Sequence, residues 1–246
     1  MKRVVHALVL VALAATPAIA AEIHVLGPAA VKGPLAETAA AFERETGHRV
    51  VLEFTTAGKV DSRIAAGERP DLVVNSRMRL DALVAKGGRA GTVQDLGTAS
   101  IGVAVRAGAQ RPDVSNVDAF RAALVAAQSV AYTDPAAGGT AGTHFAAMIE
   151  KLGLTDALAA KRRLAADGLD VMRKVKSGEV ELGITQVSEI LLVDRATYAG
   201  PLPASLQLRT IYSVFVPGTA DAVDRAFAAA LTSAAGRARF DAAGFE

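Results

Sequence analysis

The sequence predicts an α/β protein assembled from repeated strand–helix units, large enough for two lobes. Short apolar, β-prone runs alternate with amphipathic segments of helical period along almost the whole chain. Glycine, proline and small polar residues fall at the joints between them, where turns and helix caps need them. Of the 246 residues, 226 follow an N-terminal leader, which suffices for one large domain or two lobes of ~100 residues each.

The leader begins with the basic stretch MKRVVH, followed by the apolar run ALVLVALAA and then TPAIA. The run is too short to span a bilayer comfortably, and Ala18 and Ala20 supply small residues. Residues 1–20 therefore read as a secretory signal cut after Ala20, with no stable membrane insertion expected. Without the leader, basic and acidic residues balance at 25 each, so nothing points to a nucleic-acid partner or a membrane surface. An exported chain with no cysteine must be held together by its core, and it fits a bacterial periplasm. Tryptophan is absent and aromatics make up only 4%, which weighs against a sugar ligand, since sugars stack on aromatic faces. No metal and no cofactor is expected: HExxH, CxxC and GxSxG are missing, and Ala57–Gly58–Lys59 is only a fragment of a phosphate loop.

The elements follow in order. EIHVLG (22–27) is a strand. Pro34 opens a helix whose apolar face is Leu35, Ala39 and Phe42, and Gly47 ends it. HRVVLEF (48–54) is the next strand, with a helix from about Lys59 to Ala66 after the turn TTAG. DLVV (71–74) is a short buried strand, then Met78 to Lys86 a helix closed by Gly87–Gly88. SIGVAVRA (100–107) is a strand, and Asn116 caps a helix through Gln128. A strand from Ser129 leads through a turn to a further helix. Another helix near Asp170–Lys176 precedes the strand ELGITQ (181–186). LQLRTIYSVFV (206–216) is the last strand, and Asp221 to Ala235 a long helix with a short one after it. Such repetition predicts largely parallel sheets.

The stretch SVAYTDPAAGGTAGTHF (129–145) carries the strongest functional signal. A short apolar strand enters a Gly-rich turn and then an amphipathic helix, with Thr140 placed to cap it. Phe145, Met148, Ile149 and Leu152 repeat at helical spacing before Gly153 stops it. A glycine-bearing turn that delivers a helix N-terminus aims free N–H groups and the positive dipole end at one spot, a place for an anion. Loops 27–33, 55–59, 75–77 and 186–188 share its position at the carboxyl end of a strand, where sheets of this kind bind ligands.

At these loops the chain resembles the molybdate-type periplasmic solute-binding proteins of ABC transporters. The matching pieces are IHVLGPAAVKGPL (23–35), FTTAGKVDSRIAAGERPDLVV (54–74), AYTDPAAGGTAG (131–142), SGEVELGITQVSEI (177–190) and AVDRAFAAALTSAAGRARFDAAGF (222–245). The resemblance covers nearly the whole mature chain. It implies a type II binding-protein fold: two α/β lobes, each a mixed sheet flanked by helices, with a ligand cleft between. By that analogy residues 21–103 with 210–246 form one lobe and 104–209 the other. A small anion is the implied ligand and an ABC permease the implied partner, with the protein a monomer. Carried over by position, the ligand-binding residues are Ala29, Ala30, Thr55, Thr56, Ala57, Gly139, Thr140, Ala141, Gly142 and Gln186.

The departures from that family bear on the ligand. Ala30 stands where the family has serine, and Gln186 where molybdate binders often have tyrosine. Lys59 and Arg77 add cations beside the second and third loops, which serve a carboxylate better than a metal oxyanion. NVDAFRAALVAAQSVAYTDPAAGG (116–139) and GEVELGITQVSEI (178–190) are also similar to the aconitate isomerase-like branch of the same scaffold. That likeness implies, as the alternative to capture for import, an enzyme shifting a double bond in a tricarboxylate. Its base would come from His144 or Glu189, with Lys59 holding a carboxylate.

Overall fold

The computed structural model describes residues 20–86 and 90–246. The expected signal segment, apart from Ala20, and the Gly87–Gly88 helix stop lie outside the described residues.

The chain begins with β1 (Glu22–Pro28), a single 3-10 turn at Ala29–Val31, α1 (Lys32–Thr46), β2 (Arg49–Thr55), α2 (Ala57–Ala65), β3 (Leu72–Ser76), α3 (Arg77–Ala85) and β4 (Gly91–Ala99). It continues with β5 (Ile101–Val105), α4 (Val117–Ala126), β6 (Val130–Thr133), α5 (Thr140–Lys151), α6 (Thr155–Ala159), β7 (Arg162–Ala165), α7 (Gly168–Lys176), β8 (Leu182–Gln186), α8 (Val187–Asp194) and β9 (Tyr198–Pro201). It closes with β10 (Thr210–Pro217), α9 (Ala222–Thr232) and α10 (Ala234–Ala242). The local signals behave as their chemistry dictates. Asn116 Oδ1 accepts from the Ala119 N–H at 2.9 Å at the start of α4, and Gly47 closes α1 in the left-handed region at φ 73°.

Two five-stranded sheets result, ordered β2-β1-β3-β10-β4 and β7-β6-β8-β5-β9. The expectation of largely parallel sheets needs correction. β1 runs parallel to β2 and β3, and β6 to β7 and β8, but β10 is antiparallel to both its neighbours and so is β5. The cause is connectivity. β5 and β10 each enter their sheet directly from the other lobe, so they run away from the cleft while β1, β2, β6 and β8 run toward it. Sheet membership changes at Ser100, so Ile101–Val103, expected in the first lobe, pair in the second sheet.

Helices cover both faces of each sheet. α1, α9 and α10 bury Leu35, Phe42, Phe227, Leu231 and Phe240 against one face of the first sheet, and α2 and α3 bury Val60, Ile64 and Leu80 against the other. In the second sheet Phe120, Phe145 and Met148 fill one face, while Val171, Met172, Val175 and Ile190 fill the other. The crossover segments are tied together at the hinge. Gln207 Oε1 accepts from the Ile101 N–H at 2.8 Å, and Gln207 Nε2 donates to the Ile101 carbonyl at 2.9 Å. α8 follows a strand of the second sheet yet packs against α1 and the Ala29–Val31 turn of the first lobe.

Candidate functional site

Strands that run toward the cleft hand the chain to helices that start there. The Ala29–Val31 turn follows β1, α2 follows β2, and α8 follows β8, while α5 and α7 begin a few residues beyond β6 and β7. Each start leaves N–H groups without intrahelical partners, and together they focus positive potential. Between them lies a cavity of about 30 Å³. That is room for a few waters or one small polyatomic anion, since one water occupies roughly 10–15 Å³ on this measure. Its walls come from both lobes: Pro28, Ala29, Ala30, Thr55, Thr56, Ala57 and Tyr212 on one side, and Thr133, Gly139, Thr140, Ala141, Asp167, Gly168, Thr185, Gln186 and Glu189 on the other. A larger groove of about 720 Å³ runs between α2 and α3 within the first lobe.

The lobes touch directly at the cavity rim. Thr56 caps α2, its hydroxyl accepting from the Lys59 N–H at 3.3 Å and donating across the cleft to the Ala137 carbonyl. Beside it the Gly58 N–H donates to the Gly138 carbonyl at 3.0 Å. The two glycine backbones are so close that a Cβ on Gly58 would sit 2.9 Å from Gly138 Cα. This contact needs glycine on both sides, and Gly138 also adopts a left-handed φ of 72°.

Thr140 does not cap α5, contrary to expectation. Gly139 occupies the N-cap position and Thr140 is the first helical residue, so its hydroxyl is released from capping. Thr140 Oγ1 is buried with no well-formed hydrogen-bond partner. Gln186 is similar. It sits at the N-cap of α8 in capping-box position, yet its Oε1 and Nε2 are buried without a partner of good geometry, as is Ser188 Oγ. Among the described residues these are the only buried side-chain polar atoms left so. Native interiors pair nearly all such groups, and two of these three residues, Thr140 and Gln186, line the cavity, while Ser188 does not.

Glu189, in the first turn of α8, is only 5% exposed. Its Oε2 accepts from the Thr185 hydroxyl at 2.5 Å and from the Gln186 N–H at 3.3 Å. Burial pushes its pKa up to about 7, against the opposing pull of those two donors, and the nearby Asp167 charge raises it further. Gly168 makes room for this carboxyl: a Cβ there would fall 1.9 Å from Oε2. Opposite stands Tyr212 of β10, its ring held edge-on against Phe245 at 6.0 Å. Its phenol pKa is also raised, chiefly by burial and next by the Glu189 charge, while the neighbouring Thr140 hydroxyl favours ionisation.

The structure thus brings nine expected binding residues to the cavity wall: Ala29, Ala30, Thr55, Thr56, Ala57, Gly139, Thr140, Ala141 and Gln186. It leaves others outside. The exposed Lys59 does not line the cavity. Arg77 is held by Asp81 at 2.9 Å and Asp95 at 3.1 Å, which occupy its guanidinium on the outer surface. No lysine or arginine lines the cavity among the described residues, so the expected added cations are corrected. Gly142 packs α5 on β6, where a Cβ would meet the Thr133 carbonyl at 2.0 Å. His144 Nε2 is engaged with the Leu206 carbonyl at 2.8 Å, away from the cavity. Of the three residues expected to serve an isomerase, only Glu189 reaches it. Residues not anticipated from sequence are Thr133, Asp167, Gly168, Thr185 and Tyr212. Asp167–Gly168 ahead of the amphipathic LDVMRKVK was a readable helix start, whereas Tyr212 sits in an apolar strand with no local signal.

Two mixed-sheet lobes closing on helix starts define the binding-protein class of fold. The chain belongs to the family described as bacterial extracellular solute-binding protein, whose model matches residues 23–246. An aconitate isomerase from a Pseudomonas species is 35% identical over 212 residues, covering 82% of this chain and 79% of that one. Among solved structures, the periplasmic molybdate-binding protein of Azotobacter vinelandii superposes with a TM-score of 0.74 at 21% identity, covering 91% of this chain and 98% of that one. The sulfate-binding protein of Mycobacterium tuberculosis gives 0.67 at 16%, covering 92% and 86%.

Proposed function

We propose that this protein captures a small anion in the inter-lobe cavity, in the periplasm after signal cleavage, and delivers it to an ABC permease. The convergence of helix starts and of the buried polar side chains Thr140 and Gln186 on one inter-lobe cavity carries the reading. Neutral donors then do the recognition. Backbone N–H groups and the Thr55 and Thr140 hydroxyls meet the ligand oxygens, and a wrong ligand is rejected because it leaves buried donors unpaired. A lining without lysine or arginine suits a compact oxyanion, and a small carboxylate is the other candidate. A thermal-shift panel of molybdate, tungstate, sulfate, phosphate, citrate and both aconitates tests this. A bound ligand at a hundredfold above Kd should add about 2.7 kcal/mol of stability. Thr140→Val should weaken the active ligand by roughly 1–2 kcal/mol, the cost of an unmet hydrogen bond. If no member of the panel raises Tm, anion capture is wrong; if only tetrahedral oxyanions act, the carboxylate option goes.

A second reading, an isomerase moving a proton and a double bond in a tricarboxylate, is favoured by Glu189. A buried carboxyl with a pKa near neutrality is suited to general acid–base work, and the 35% identical relative is named as an aconitate isomerase. A tricarboxylate exceeds the 30 Å³ cavity, so the lobes would have to part around it. Ultraviolet absorbance of trans-aconitate incubated with concentrated protein decides the matter, and absence of interconversion sinks this reading.

A further inference from the structure

A cavity built to attract negative charge here contains carboxyl groups, Asp167 and Glu189, in its own wall. An ionised Glu189 would repel the anion that the surrounding helix starts attract, at a separation where water no longer screens it. Asp167 has other employment: its Oδ1 accepts the Asp170 N–H at 2.7 Å as the cap of α7. Among the described residues no cation pairs with Glu189. The groups facing it are Thr185 on its own strand–helix unit, Asp167 and Gly168 from α7, and Tyr212 from β10. Its two hydrogen-bond donors both fall on Oε2, and Oε1 receives none among the described residues.

We propose that the cavity takes up its anion together with one proton, held on Glu189 Oε1, so that this carboxyl serves as a hydrogen-bond donor to a ligand oxygen. The proposal rests on the anion-capture reading and deepens it. Glu189 becomes a specificity-determining residue: it selects anions with an acceptor oxygen at that point and links affinity to pH. No bond other than to the proton is made or broken, and the proton comes from solvent. A ligand that itself carries a proton, such as hydrogen phosphate, could instead donate to ionised Glu189. Fully ionised sulfate and molybdate cannot, and they separate the two cases.

The experiment is calorimetric titration of the full mature protein with sulfate and with molybdate, in two buffers of different ionisation enthalpy. Near pH 8 the expected result is uptake of close to one proton per anion, with affinity falling about tenfold per pH unit above neutrality. In Glu189→Gln the amide donates in place of the acid, so binding should persist, lose its pH dependence and take up no proton. Affinity that is flat with pH, or a pH dependence unchanged in Glu189→Gln, overturns the proton coupling and leaves anion capture standing. Failure of both anions to bind at about pH 6 overturns capture of these oxyanions and the coupling with it. A ligand-independent check is the carboxyl titration followed by NMR of carboxyl-labelled glutamate. A resonance titrating near neutrality and missing from Glu189→Gln supports the proposal, and its absence from the wild type overturns it.

Discussion

Glu189 is neutral below its raised pKa and charged above it, and only the charged form is costly to bury. The sign for stability follows. An unfolded glutamate titrates near 4.5 and this one at about 7, so the folded state holds the proton more tightly. Stability is fully present below the unfolded value and is lost as pH rises from there through about 7. By linkage the loss is about 3 kcal/mol. Urea unfolding across that window should show the decline in wild type and its absence in Glu189→Gln, while identical curves would mean the carboxyl is not buried as described. Thr140 teaches a related lesson. Sequence placed a hydroxyl at a helix start but could not say whether it would cap the helix or face the cleft, because the two roles differ by one residue of register.

At the scale of elements, the missed strands share one property. β4, β7 and β9 are all edge strands, paired on one side only, and their residues (GTVQDLGTA, RRLA, YAGP) carry charge, glycine or proline instead of an apolar run. Edges are kept polar and irregular against unwanted pairing, so the hydrophobic pattern that exposes central strands is missing there. Central strands and most long helices were legible for the opposite reason: both faces are buried, or one stripe is. The cavity wall divides the same way. Loops at strand ends could be read, but Tyr212 and Thr185, which reach the site from within strands, could not. Packing between elements also yields a test at Gly168. As the first residue of α7 it would ordinarily gain helix propensity from alanine, yet a Cβ has no space beside Glu189 Oε2 and Thr185 Oγ1. Gly168→Ala should lower stability by about 1–3 kcal/mol through overpacking; a raised urea midpoint would refute that packing.

For the molecule as a whole, a few contacts join the two lobes beside the cleft. Gln207 ties the crossover segments at one end of the cleft, and Gly58 meets Gly138 at the other. Gly58→Ala is a selective probe, since its Cβ collides with Gly138 only while the lobes are together. The fold should survive, small-angle scattering should report a larger radius of gyration, and anion affinity should drop about tenfold, corresponding to ~1.4 kcal/mol. An unchanged scattering profile would mean the glycine contact does not govern closure. Because that contact joins backbone to backbone, part of the free energy favouring the shut form is the same whatever the cargo. In population terms it raises the competent fraction for every ligand equally. Discrimination between ligands must then arise inside the cavity, and the glycine pair contributes only a term common to all of them.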